Sequence, residues 1–346
     1  MASIITNLEG FTNMLIQGNF NKARLFGPWI GEFAHEFLYW KDWVCAEIET
    51  STDAVNIVAS FPGHHIFYPN AAFYIPHSEK SGILQLSAHG PVVDGFICGY
   101  PGNLNGTSHG KNILSYLRTL VNTLRSTGIE HVEVSAPFLY SASSFHSHLI
   151  GSDLGYQTST PASHTWIKPH IHKRYHLAPD DSELVNTYFN LLDQTRKTVA
   201  ILPRLRSIRR PDKNLSSYFY QQICCKLISS GHNCIIIGTP NGAHLLEGIF
   251  NPKYYLDLVT EIDPMLQLSL HTRAFSFCDF AIGGLSGGMV YALYCKLPSI
   301  VIGNRYQAHQ LSTENVFRTK FVYLTNDSIS DDILVTKVLE KASCLV

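Results

Sequence analysis

DFAIGGLSGGMVYALYCKLPSIVIGN, residues 279–304, is the stretch in which the architecture of this chain is easiest to read. A short apolar strand at 280–282 is followed by a turn holding Gly283, Gly284, Ser286, Gly287 and Gly288. An apolar helix over 289–295 comes next, then a break at Lys296-Leu297-Pro298 and a second strand at 299–302. Strand, glycine turn and helix in that order bring free backbone N–H groups and the positive end of a helix to one place, which suits a phosphate. Glycine lets a ligand approach the backbone closely, and Ser286 adds a hydroxyl. The same pattern also serves as a plain tight turn between strand and helix in many α/β domains.

Working outward, the spacing predicts further strands and helices in alternation, the signature of parallel α/β sheets. In the second half, residues 198–202 form a buried strand followed by a basic loop. Residues 215–230 show helical spacing (Leu215, Phe219, Ile223, Leu227) and stop at Gly231. A strand at 234–237 and a turn at 238–242 follow, and a helix over 265–278 leads into the opening motif. A strand at 321–324 and a helix over 329–342 close the chain. In the first half, a helix with Phe33, Phe37, Leu38 and Trp40 follows Gly27-Pro28-Trp29. Strands are expected at 55–59, near 72–75 and at 92–97. A helix over 111–127 ends at Gly128, a residue suited to a helix C-cap, ahead of a strand at 131–135. Residues 141–176 show no sustained period and read as the end of a first domain plus a connection. A helix over 180–195, capped by Asp180 or Asp181, opens the second. The expected domains are 1–178 and 179–346.

A chain of 346 residues is long enough for two domains, each with its own core. Hydrophobic content of 45% with 15% charged residues indicates a folded protein with little disorder. A formal net charge of -1 provides no global field to recruit nucleic acid or an anionic membrane. No apolar run approaches a membrane span, and the first residues lack a basic segment followed by an apolar one, so a cytoplasmic location is expected. The eight cysteines include no CxxC pair, so neither a zinc framework nor a dithiol redox site is indicated. Among the 17 histidines, His64-His65 and the loop with His164, His170, His172 and His176 lack the spacing of zinc enzymes, and hydrogen-bonded or solvated roles are expected for them.

After the strand at 198–202 comes PRLRSIRRPDKN, with Arg204, Arg206, Arg209, Arg210 and Lys213. A loop leaving the C-terminal end of a parallel strand is where α/β sheets place ligands, and guanidinium groups there can fork onto diphosphate oxygens. With the strand ending in Pro203-Arg204, the strand and turn Ile235-Ile236-Ile237-Gly238, and the opening motif in order, residues 198–323 resemble the nucleotide-binding domain of GT-B-type glycosyltransferases. The resemblance implies two Rossmann-like α/β domains facing each other across a cleft, with the acceptor on the N-terminal side and the nucleotide sugar on the C-terminal side. It implies that Ser286, Gly287 and Gly288 cradle the donor diphosphate while Arg204 and Arg209 neutralise it, beside Gly238. An acidic residue that grips the donor ribose or sugar is expected at Glu261 or Asp263, although Asp263 before Pro264 also fits a helix N-cap.

In the first half, GPWIGEFAHEFLYW holds Gly27, Gly31, Glu32, His35 and Glu36. Such proteins often open with a glycine loop leading into a helix that faces the cleft. Transfer with inversion needs a general base for the acceptor hydroxyl, and a carboxylate or histidine is the usual choice. Glu32 and Glu36 are one turn apart with His35 between them, and a plain helix start with acids that suit the macrodipole is the alternative. A loop with Asp94, Asn103, Asn105, His109 and Lys111 offers Asp94 as another base. The expected activity is a metal-independent hexosyl- or pentosyltransferase. It would move sugar from a nucleotide diphosphate donor to a hydroxyl of a glycan, a lipid-linked sugar or a hydroxymethylated DNA base. No metal ligand set and no cofactor beyond the donor substrate are expected, in agreement with the lack of a DxD triplet. A nucleotide-sugar epimerase or hydrolase of the same fold, or a non-catalytic nucleotide-sugar-binding module, are the competing readings.

Overall fold

The computed structural model describes residues 20–29, 33–50, 53–77, 108–135, 177–206, 211–248, 250–305 and 319–345, together with 3–4, 157–158 and isolated positions elsewhere. The chain divides into two compact units, Met1–Leu177 and Ala178–Val346. Among the described residues, no helix is long and apolar enough to cross a membrane.

Among the described residues the first unit holds a parallel sheet of six strands, β1 (Ser3–Ile4), β2 (Lys22–Phe26), β3 (Val55–Ser60), β4 (Phe73–Pro76), β5 (His131–Ser135) and β6 (Gln157–Thr158), in the order β1-β4-β3-β2-β5-β6. Every residue of β3 is buried, as in a strand covered on both faces. Between β2 and β3 the chain runs through α1 (Phe33–His35), a π-helical turn (Glu36–Trp40) and α2 (Lys41–Thr50). Before β5 comes α3 (Ser108–Ser126), ended as expected by Gly128 at φ 93°. Strand β2 has no counterpart in the sequence reading, because Lys22 and Arg24 disguise its pattern. Arg24 is nonetheless buried, since its guanidinium binds the Glu47 carboxylate at 2.7 Å and lies 5.0 Å from the centre of the Phe26 ring. The strand expected at 92–97 lies outside the described residues, as does 141–176 apart from β6.

The second unit opens with α4 (Glu183–Thr187) and continues β7 (Lys197–Leu202), α5 (Ser217–Ser229), β8 (His232–Ile237), β9 (Tyr255–Leu258), α6 (Pro264–Phe277), β10 (Phe280–Gly284), α7 (Gly287–Tyr294), β11 (Ser299–Gly303), β12 (Phe321–Thr325) and α8 (Asp331–Leu345). Its sheet is parallel throughout, in the order β12-β11-β10-β7-β8-β9. The chain therefore starts at the centre, builds to one side with β8 and β9, and returns to build the other side with β10 to β12. Connections leave β7 and β10 in opposite directions. The crevice between their C-terminal ends is the topological switch point at which open α/β sheets bind ligands. Beneath it, Val199, Ile201, Phe219, Ile223, Ile236, Ile282 and Ile300 pack in one buried cluster with Val335 and Val338 of α8.

In the second unit the largest departures from the sequence reading are at three elements. The helix expected over 180–195 spans only Glu183–Thr187, with Ser182 as its cap in place of Asp180 or Asp181. It is followed by turns in which the Asp193 carboxylate accepts from the Thr195 N–H and hydroxyl, a local bond that competes with helix. Strand β9 forms where a connection was expected. It is an edge strand whose first three residues are only half-buried, so its apolar signal is weak. Strand β10 runs two residues further than expected and takes Gly283 and Gly284 out of the turn. A Cβ on Gly283 would lie 2.9 Å from the Leu202 Cβ, its carbonyl oxygen and the Met289 sulfur, so two neighbouring elements approach as closely as they do only over glycine.

Candidate functional site

In the second unit the site grows from the turn after β10. Ser286 is the N-cap of α7, with extended backbone and its hydroxyl accepting from the Met289 N–H at 3.3 Å. That bond satisfies one of the first N–H groups of the helix. Gly287 and Gly288, as the first two helical residues, have no intrahelical acceptor for theirs. Ser286, Gly287 and Gly288 are half-exposed, whereas Gly283 to Leu285 and Met289 are buried. The glycines thus divide into two tasks. Gly283 and Gly284 let strands and helix close together, and Ser286, Gly287 and Gly288 sit half-exposed at the positive end of the helix dipole.

The loop after β7 lies on the same crevice. The Arg204 backbone pairs with Ala243, the Leu205 N–H donates to the Gly242 carbonyl at 2.9 Å, and the His244 N–H donates to the Pro203 carbonyl at 2.6 Å. The turns after β7 and β8 are therefore laced together. Arg204 is largely buried, and its guanidinium donates to the Asn214 side-chain oxygen. Asn214 also accepts from the Arg206 N–H at 3.1 Å and donates to the Arg206 carbonyl at 2.8 Å, which holds the loop's shape. Tyr220 of α5 joins this loop to the end of β10. Its hydroxyl accepts from the Gly284 N–H at 3.3 Å and also meets Arg204. Burial pushes this phenol above its ordinary range, against the smaller opposing effects of Gly284 and Arg204, so it stays a neutral tie.

Gly238 follows β8, and a Cβ there would sit 2.6 Å from that of Ala243. Its carbonyl accepts from the Gln267 side chain at 3.2 Å, which fastens the turn to α6. After β9, the Asp257 carboxylate accepts from the N–H groups of Val259 and Thr260 and from the Thr260 hydroxyl, at 2.7, 3.4 and 2.9 Å. On that loop Glu261 is exposed and adopts a left-handed φ of 53°. Asp263 serves as the N-cap of α6, accepting from Met265 N–H at 2.8 Å with Pro264 at the first helical position. Arg204, Gly238, Glu261 and Ser286 to Gly288 thus all lie at the C-terminal edge of one sheet. Arg209 lies outside the described residues.

The first unit carries a second polar cluster, also at the C-terminal edge of its sheet. The loop after β2 is pinned on both sides. Gly27 N–H donates to the Ser135 carbonyl at 2.7 Å, Trp29 N–H to the Ala59 carbonyl at 2.9 Å, and the buried His77 ring to the Trp29 carbonyl at 2.7 Å. Gly27 has φ 114°, and a Cβ there would lie 2.3 Å from the Ala59 oxygen. Trp29 stacks on Trp40, 5.7 Å between ring centres, which fixes the loop to the π-helical turn. At the start of that turn Glu36 is wholly buried. One of its oxygens accepts from the Ser60 hydroxyl at 2.5 Å and the Tyr68 hydroxyl at 2.9 Å, and the other meets Nδ1 of His64 at 2.6 Å. A carboxylate without water needs such partners, because burying it unpaired is very costly. Burial together with this carboxylate drives the Tyr68 phenol well above its usual range, so it donates as a neutral hydroxyl.

Of the candidate bases, Glu36 alone has a described side chain. Glu32, Asp94 and the side chain of His35 lie outside the described residues. Sequence reasoning missed Ser60, His64 as a partner of Glu36, and Tyr220. The signal available was positional, since Ser60 and His64-His65 fall at the end of the strongly apolar strand β3. Among the described residues no cluster of three or more His, Cys, Asp or Glu side chains is arranged to hold a metal ion.

The sequence matches no protein-family model, and no curated protein matches it. Its structure is similar to that of an ADP-heptose lipopolysaccharide heptosyltransferase II from E. coli, with 12% identity, 92% of this chain and 98% of that chain covered, and a TM-score of 0.50. It is also similar to a glycosyl transferase of family 9 from Veillonella parvula, with 10% identity, 94% and 97% covered, and a TM-score of 0.53. The likeness spans both units and shows the fold: two Rossmann-like α/β units of the GT-B glycosyltransferase type.

Proposed function

We propose that this protein is a glycosyltransferase that takes its sugar from a nucleotide diphosphate donor and passes it to a hydroxyl acceptor. The observation that carries the reading is the switch-point crevice of the second sheet. There the half-exposed N-terminus of α7 follows the end of β10, which the Tyr220 hydroxyl ties to the basic loop at Arg204. Free N–H groups at a helix end and a guanidinium suit a diphosphate as ligand and as leaving group. In this reading Ser286, Gly287 and Gly288 cradle the diphosphate, while Arg204 and Arg209 offset its charge. Gly238 lets the neighbouring turn approach the nucleotide, and Glu261 holds donor hydroxyls. No metal ion takes part, so excess EDTA leaves turnover undiminished.

The E. coli neighbour is named for ADP-heptose, so ADP is the first nucleotide to test and heptose joins hexose and pentose as a candidate sugar. The acceptor is a glycan hydroxyl, including that of a lipid-linked sugar. A modified DNA base is the second choice, since a net charge of -1 offers little general attraction for the polyanion. The proton acceptor is drawn from Glu32, His35, Asp94 or the Glu36–His64 pair.

Calorimetry with ADP, UDP, GDP and AMP tests the donor site. At least one nucleoside diphosphate is expected to bind, and Gly287→Val to abolish that binding while leaving the unfolding midpoint in place. Arg204→Ala should weaken the diphosphate by roughly tenfold to a hundredfold, about 1.5–3 kcal/mol, and AMP much less. Failure of every diphosphate to bind, or equal weakening of both ligand types, would overturn the assignment.

A further inference from the structure

We propose that His64 accepts the proton of a hydroxyl bound at the C-terminal edge of the first sheet, and that Glu36 is the residue that positions it. Glu36 cannot meet a substrate itself, because it has no exposed surface and both its oxygens are engaged. What it does is orient the imidazole. A carboxylate only accepts hydrogen bonds, so the 2.6 Å contact places the ring proton on Nδ1 and leaves the lone pair on Nε2. This is the arrangement in which a histidine acts as a base with its tautomer set by a carboxylate behind it.

The surroundings fit that role. His64 follows Gly63, whose left-handed φ of 81° turns the chain just beyond β3, and opens the 3₁₀ turn His64–Phe67. Its ring is met edge-on by Phe33, Phe61 and Phe67, with centres 5.5, 5.5 and 5.4 Å away. These contacts leave little rotational freedom, yet 14% of the side chain remains exposed. Among the described residues nothing hydrogen-bonds Nε2. Ser60 and Tyr68 in turn fix the Glu36 carboxylate, so the base is supported by two successive layers of side chains.

The proposal rests on the transfer reading for the reaction it serves. The acceptor O–H bond breaks and its proton moves to Nε2. The acceptor oxygen bonds to the anomeric carbon as that carbon's bond to the diphosphate oxygen breaks, and the electron pair leaves on the diphosphate. His64 then loses the proton to solvent.

The test uses the full chain. Release of nucleoside diphosphate is followed from ADP-, UDP- and GDP-sugars, alongside calorimetry with the free diphosphates and nitrogen-15 NMR of the histidine rings. His64→Ala should bind diphosphate as the parent does, lose about 10²–10⁴-fold in kcat, and regain part of it in added imidazole. Glu36→Gln should lower kcat by less with KM unchanged, and let the neutral His64 ring take the Nε2–H form. A His64→Ala enzyme with near-parental kcat, or one that imidazole does not rescue, overturns the proposal. If no diphosphate binds the parent, the transfer reading fails and the NMR decides the pair on its own. A neutral His64 protonated at Nδ1 in the parent but not in Glu36→Gln supports it. A parent ring protonated at Nε2 overturns it.

Discussion

Among the described residues two buried imidazoles, one in each unit, make stability fall on acidification. His77 donates to the Trp29 carbonyl and His271 meets the Leu258 carbonyl at 3.4 Å. Burial is the main cause that lowers each to about 4, only partly opposed by these backbone contacts. An unfolded histidine titrates near 6.5. Between that value and about 4 the unfolded chain binds protons that the folded chain refuses, so stability falls as pH drops through this window and levels off below it. Each histidine can remove on the order of 3 kcal/mol across the window. Thermal unfolding of the parent, His77→Gln and His271→Gln between neutral pH and pH about 4.5 checks this. The difference between parent and each variant should shrink or reverse with acidification, because the variant lacks the group that titrates. A difference independent of pH would show that each ring titrates in the folded chain as it does in the unfolded one.

At the scale of elements, the turn from β10 into α7 separates packing from binding. Gly283→Ala places a methyl group against Leu202 and Met289 and should cost about 1–3 kcal/mol in chemical denaturation without removing a ligand contact. Gly287, half-exposed one turn further on, should show the opposite behaviour. Unchanged stability of Gly283→Ala would mean that β7 and α7 can move apart more easily than their packing indicates. This motif was legible from sequence because its signals are local: glycines, a capping serine and an unbroken apolar strand. So were β3, α5 and the Asp263-Pro264 start of α6. Elements whose character is set by distant partners were not. Strand β2 carries Arg24, which its tertiary contacts with Glu47 and Glu133 make buriable, and β9 is a half-buried edge. The expected helix over 180–195 stops at Thr187, and beyond the turns that follow it the Asp193 carboxylate bonds its own backbone neighbourhood. Ser286 to Gly288 are contiguous, whereas Glu36 and His64 are 28 residues apart and Tyr220 and Gly284 are 64 apart, so only the fold brings each pair together.

At the scale of the whole molecule, the fold narrows the chemistry but leaves its class to the sites. Each unit presents polar residues at the C-terminal edge of a parallel sheet, a capped helix N-terminus beside a basic loop in the second and a carboxylate–imidazole pair in the first. An epimerase or hydrolase needs the donor site and a base but no separate acceptor, and a binding module needs the donor site alone. A transferase needs all three. The rate of nucleoside diphosphate release from a bound nucleotide sugar, measured with and without a panel of glycan acceptors and in excess EDTA, distinguishes them most directly. The account predicts slow release alone, faster release with one class of acceptor, sugar recovered on that acceptor, and no loss in EDTA. Release of free or isomerised sugar at the same rate without any acceptor, or donor binding with no release at all, would contradict it.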